Sequence, residues 1–172
     1  MQMFISVMSF VPAVYFASQR PGSMKQSQIR AYGLKVSLYT EGTEPKSLER
    51  NRGDGVCVFL NKKWNHPDNV TVKHKHCSPA VEILTVGIHP YYLPREFSHV
   101  LVTVVYVPPS ADAKEAADTI ASHMHDLDDR VPDAIKIIMG DFNHCDLRTT
   151  LPHYQQYITC ATRKDRTILV LL

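Results

Sequence analysis

The chain has 172 residues, 44% of them hydrophobic and 21% charged, with a formal net charge of +2. This is enough for one globular domain with a sizeable core, and it excludes disordered, collagen-like and disulfide-dense miniature classes. It also excludes a protein that holds nucleic acid by bulk charge alone, whereas an enzyme touching a few phosphates needs no more.

Met1–Ser18 is apolar and uncharged. It lacks the basic start of a signal peptide, and Pro12 interrupts it. A spanning helix needs about 20 apolar residues, so neither secretion nor a membrane span is expected. Residues 19–31 are polar and carry Pro21 and Gly22, as a linker does. Residues 1–31 are therefore read as a leader, poorly ordered or non-native to the fold, ahead of a domain over 32–172. The four cysteines, Cys57, Cys77, Cys145 and Cys160, include no Cys-x-x-Cys pair. They read as reduced thiols of an intracellular protein, the nucleus included.

In chain order, alternation predicts strands at Lys35–Thr40 and Val56–Asn61, with a polar loop over Glu41–Asp54 between them. Lys62–Asn69 reads as a hairpin-like connection. In the strand Val70–His76, strict alternation puts Val70, Val72, His74 and His76 on one side. His74, His76 and Cys77 have no second ligand pair at zinc spacing, so the histidines read as a solvated strand face. Val81–Ile88 is a further strand. In the loop after it, Tyr91, Tyr92 and Phe97 are expected to pack the loop itself. Val100–Val107, closed by Pro108 and Pro109, carries the strongest strand signal. Asp112 and Glu115 form a capping-box pattern ahead of a helix over Ala113–Val131. Ala113, Ala116, Ala117, Ile120, Met124, Leu127 and Val131 share one helical face, and Pro132 stops the run. Leu147–Leu151 reads as a helical turn, Tyr154–Thr159 as a strand, and Thr167–Leu172 as a final apolar strand.

Ile135–Asn143 is the stretch around which the chain is organised. Ile135–Met139 reads as a strand covered on both faces, and Gly140 permits a sharp turn after it. With the preceding strand and helix it makes a strand–helix–strand order. Ligands in open α/β sheets bind at the carboxyl ends of strands. Asp141 and Asn143 follow there, two apart, so in an extended chain they project the same way. Gly-Asp and Asn are equally common in plain turns, and both readings stay open on this segment alone.

Gly140-Asp141-Phe142-Asn143 after an apolar strand resembles the Gly-Asp-Phe-Asn signature of the endonuclease/exonuclease/phosphatase family. Tyr106-Val107-Pro108 upstream resembles that family's Tyr-x-Pro motif. Gly53–Phe59, Tyr91–Phe97, Asp141–His144 and Thr162–Asp165 are further similar to the endonuclease region of vertebrate non-LTR (LINE-type) retrotransposon polyproteins. The resemblance runs from about Arg52 to Arg166.

The resemblance implies a two-sheet α/β sandwich, incomplete at both ends, from a family that hydrolyses DNA phosphodiesters with magnesium. Carried over, Asp141 orients the attacking water, Asn143 holds that water or a phosphate oxygen, and Tyr106 places its hydroxyl on the phosphate. DNA is the implied partner, with no small-molecule cofactor and no membrane. The pattern also departs from the family's. The metal-binding Glu lies ahead of the matched region, and Glu41, Glu44 and Glu49 sit in the wrong context. Thr167–Val170 carries no carboxylate where the family has an Asp, and the terminal Ser-Asp-His segment has no counterpart; His144 and His153 are not in its setting. No metal ligand is assigned. Because such groups act as a unit, the expectation is a fragment with weak or no nuclease activity. A non-catalytic nucleic-acid-binding module and a decayed gene product without function are the alternatives.

Overall fold

The computed structural model describes residues 14–17, 33–37, 56–61, 63–157 and 168–171. The strands are β1 (Val14–Ala17), β2 (Gly33–Ser37), β3 (Cys57–Asn61), β4 (Val70–Cys77), β5 (Glu82–Ile88), β6 (Val100–Tyr106), β7 (Ile135–Asp141) and β8 (Ile168–Leu171), and the helix is α1 (Ala113–Arg130). They form a three-stranded sheet in the order β1-β3-β2 and a five-stranded sheet in the order β4-β5-β6-β7-β8. β1 lies within the stretch read as a leader and pairs antiparallel with β3.

β3 is flanked on both sides, by β1 and β2. Its hydrogen-bonding edges are used, so β4 cannot join it and the hairpin expected over Lys62–Asn69 does not form. That connection instead crosses between sheets and holds a 3-10 turn, Pro67–Asn69. β4, β5 and β6 run antiparallel in succession, and β6 and β7 are parallel. A parallel pair needs a long crossover, and α1 is that crossover. The expected strand–helix–strand order is present.

α1 forms where the apolar stripe predicted it. Asp112 Oδ1 accepts the Glu115 backbone N–H at 2.8 Å at its start, and Val131 N–H donates to the Leu127 carbonyl at 3.0 Å at its end. Ala116, Ala117, Ile120, Ala121, Met124 and Leu127 pack with Ile83, Leu101, Val105, Ile138 and Phe142 on one face of the large sheet. Leu84, Val86, Val102, Val104, Ile137 and Met139 cover its other face, where Val56, Val58 and Leu60 of the β3 segment meet them. The order of layers is small sheet, apolar core, large sheet, apolar core, helix.

Three local expectations change. A bulge between Val72 and His74 shifts the β4 register, so Val72 pairs with Val86 but His74 pairs with Thr85. An extra residue in one strand reverses the facing of all that follow. His74 and His76 thus sit on the α1 side, half-buried rather than on a solvated face. In the loop after β5, Leu93 and Phe97 are half-buried, but Tyr91 is 51% and Tyr92 86% exposed. Backbone bonds from Tyr91 to the Trp64 carbonyl at 3.0 Å and from Phe97 to the Pro94 carbonyl at 3.1 Å hold the loop, so those two rings are not needed to pack it. Tyr154 is an anchor and not the start of a strand. Its hydroxyl donates to the Asp128 carboxylate at 3.0 Å, and Lys136 Nζ reaches the same carboxylate at 3.2 Å. Burial, then the Asp128 charge, pushes the Tyr154 phenol above its ordinary range. Leu151 N–H donates to the Leu147 carbonyl at 2.8 Å, which closes the expected helical turn. Residues 158 and 159 of the expected strand, Glu41, Glu44 and Glu49, and Thr162–Asp165 lie outside the described residues.

Met124 and Ile138 are 0% exposed and meet across the helix–sheet core. Truncating either to alanine is expected to cost about 2–5 kcal/mol. Ser122→Ala on the exposed face of α1 should stay within about 0.5 kcal/mol. Urea unfolding of the three variants checks the contrast.

Candidate active site

Three adjacent strands change character at the same sheet end. On the face toward the small sheet, β5 carries Leu84, Val86 and Ile88, β6 carries Val100, Val102 and Val104, and β7 carries Ile135, Ile137 and Met139. The next inward positions are Glu82, Tyr106 and Asp141. Glu82 pairs with Tyr106 across β5–β6, and Tyr106 pairs with Asp141 across β6–β7. Residues directly opposite in neighbouring strands point to the same face, with Cα atoms about 5 Å apart. The three polar side chains therefore stand in one row, the phenol between two carboxylates. Glu82 is 8% and Asp141 7% exposed, and Tyr106 is half-buried. Buried carboxylates are costly unless something compensates them, and they concentrate where chemistry is done.

The sequence reading found Tyr106 and Asp141 and passed over Glu82. The signal was present: Glu82 shares its parity with Leu84, Val86 and Ile88, so a carboxylate stands on an otherwise apolar strand face.

β7 runs on to Asp141, two residues beyond the expected end at Met139. Gly140 is inside the strand, with φ 155°. A β-carbon there would run into the backbone carbonyl of Val105. Glycine is thus needed for β6 and β7 to approach at the polar row, and not for a turn. The ladder continues one step further, where Val107 N–H donates to the Asp141 carbonyl at 2.9 Å.

Asn143 is past the strand, in the left-handed region at φ 48°. It does not continue the extended chain, so it does not share Asp141's direction by alternation. Its backbone N–H faces Asp141 Oδ1 at 3.4 Å, and its side-chain Nδ2 donates to the Val107 carbonyl at 2.6 Å. The segment is a turn and a site flank at once. Asn143 ties the end of β7 to the residue after Tyr106, which fixes Asp141 beside the phenol. Phe142, fully buried on the α1 side, pins the turn from the opposite face.

Neighbouring groups are inert by comparison. The Cys145 thiol is buried against α1, donates to the Ala113 carbonyl at 3.6 Å, and is pushed up to about 11 by burial and by Asp146. It is not a thiolate near neutral pH. His144 Nε2 is bound to the Ala111 carbonyl at 2.9 Å. A shallow groove on the outer face of α1 is lined by Asp118, Ser122, His125, Asp126, Asp129 and Thr150. Its acidic lining repels phosphate, and it lies on the far side of the large sheet from the polar row.

Magnesium takes hard oxygen ligands in near-octahedral geometry. Among the described residues, no group of three or more His, Cys, Asp and Glu side chains is placed to hold a metal ion. No helix among them is long and apolar enough to cross a membrane.

No family model and no curated protein matches the chain. Solved structures do. A D. rerio TDP2 humanized by 14 mutations superposes with a TM-score of 0.54 at 13% identity, over 99% of this chain and 74% of that one. D. rerio TDP2 complexed with a single-strand DNA product gives 0.54 at 12%, over 99% and 75%. The fold is the α/β sandwich of the endonuclease/exonuclease/phosphatase type.

The geometry sets two stability outcomes. Gly140→Ala forces a β-carbon into the Val105 carbonyl and should cost more than about 2 kcal/mol. Asn143→Ala should cost about 1 kcal/mol more than Asn143→Gly, because both lose the Val107 bond but only alanine bears the left-handed strain. Chemical denaturation of the three variants measures both.

Proposed function

We propose that this chain is a DNA phosphodiester-handling domain derived from a LINE-type retrotransposon endonuclease, with weak hydrolytic capacity. The observation that carries this reading is the alignment of Tyr106 with Asp141 at one end of the parallel β6–β7 pair, locked there by Asn143. The resemblance of the signature segments and the likeness to a solved TDP2 holding a single-strand DNA product support it.

In this reading Asp141 accepts a hydrogen bond from the attacking water and orients its lone pair toward phosphorus. Tyr106 donates its hydroxyl to a non-bridging phosphate oxygen, on which charge grows in the transition state. Asn143 acts mainly as the brace that keeps Asp141 at its station. Its Nδ2 is engaged with Val107, so the amide oxygen is the part left to meet the water. Magnesium, where bound, supplies neutralisation of phosphate charge. The roles of Asp141, Tyr106 and Asn143 do not pass through it. Without that neutralisation two buried carboxylates oppose an approaching phosphate, which is why the hydrolytic capacity is weak. The departures of the sequence from the family's metal-binding pattern favour, as the second reading, a module that binds nucleic acid without cleaving it.

Supercoiled plasmid incubated with the protein and magnesium tests the reading. Slow nicking is expected, removed by Asp141→Ala and lowered about 10- to 100-fold by Tyr106→Phe. DNA binding that weakens with salt but leaves the plasmid intact assigns the second reading. Neither nicking nor salt-dependent binding overturns both.

A further inference from the structure

We infer that His74 and His123, with His76 stacked beside them, form an acid-operated latch that fastens the end strand β4 and helix α1 to the middle of the large sheet. The three imidazoles stand in a row. The His74 ring lies 4.2 Å from that of His123, nearly parallel to it, and 6.4 Å from that of His76. His123 projects from α1 into the sheet, where it is only 9% exposed. Its Nε2 lies 2.7 Å from Thr85 Oγ1 on β5, and that hydroxyl lies 3.0 Å from Thr103 Oγ1 on β6. One hydrogen-bonded and stacked chain therefore runs from β4 through α1 to β5 and β6.

The bulge in β4 builds it. Uninterrupted alternation would leave His74 and His76 with Val72 on the opposite face. The register shift turns them toward α1, and bulges commonly re-aim a side chain in this way. β4 ends the order of the large sheet, so it is held from one side by β5 and over its top by this stack. The phosphodiester reading uses none of these residues.

The stack of His74 on His123 holds while both rings are neutral. Burial, and then the neighbouring His74, lower His123 to about 4. Burial and His76 lower His74 as well. The groups facing them are His74 and His76 from β4, the neutral hydroxyls Thr85 and Thr103 from β5 and β6, and Asp126 and Arg130 from α1. Asp126 would favour a charged ring, but Arg130 holds its carboxylate at 2.8 Å, and Arg130 itself opposes the charge. A proton on one ring thus meets a desolvated site, stacked imidazoles and no free counter-charge among the facing groups. The unfolded chain, with ordinary histidines, binds that proton more readily than the folded one. Stability is then full above the ordinary histidine range and falls as pH drops toward about 4. The folded-to-unfolded ratio falls by up to about a hundredfold on this group alone.

Thermal unfolding of the full chain between pH 7 and pH 4.5 tests the latch, in wild type, His123→Gln and His74→Gln. Glutamine at 123 keeps a partner for Thr85 and cannot titrate in this range. The wild-type Tm should fall with pH, His123→Gln should flatten the slope, and His74→Gln should give an intermediate slope. A wild-type slope in His123→Gln overturns the proposal; if that variant does not fold, a wild-type slope in His74→Gln overturns it. Hydrogen exchange at pH 5 gives the local readout. Protection should drop in β4 and α1 before β6 and β7, and a simultaneous loss in all four elements overturns the latch.

Discussion

The parallel pairing of β6 with β7 is the constraint on which the remainder of the molecule rests. It sets Val105 against Gly140 and Tyr106 against Asp141. The first pair has room only because position 140 bears no side chain. The second inherits its alignment from the first. A shift of one residue in a strand would send Asp141 to the helix face and bring an apolar residue beside the phenol. Parallel strands cannot be joined by a tight turn, so the pairing also demands a crossover. α1 meets that demand and in doing so covers one face of the sheet.

The two faces of the large sheet treat polar groups differently. On the face of β5, β6 and β7 toward the small sheet, polarity is confined to one terminal row, and everything behind it is apolar. That arrangement leaves the row at the rim of the core. On the helix face, polarity lies in mid-sheet, as Thr85, Thr103 and His123. There the hydroxyls and the imidazole satisfy one another, as buried polar atoms must. One set stands at the edge of its core. The other is arranged to hold elements together.

The likeness to TDP2 structures is one of fold, at 12–13% identity. So few shared residues cannot preserve a packed core by identity, yet interiors tolerate wide apolar replacement if volume and pattern survive. What persists is the fold.

The sequence by itself determined β6, α1 and β7, because their apolar periodicities are long, unbroken and closed by proline or a cap. It singled out Asp141 as a polar group at the carboxyl end of a strand, and Tyr106 through the resemblance of Tyr106-Val107-Pro108 to a family motif. Only the tertiary structure decided that Glu82 joins them, since its partner Tyr106 lies 24 residues away and register is a property of two strands. It decided the facing of His74 and His76 as well, because one bulged residue in β4 reverses a parity that the letters show as regular. It decided that Asn143 braces a left-handed turn, since that conformation is held by the Val107 carbonyl just past the end of β6. Local periodicity records which residues want to be buried. Pairing across the sheet fixes which of them stand side by side, and the chemistry of this site depends on the second.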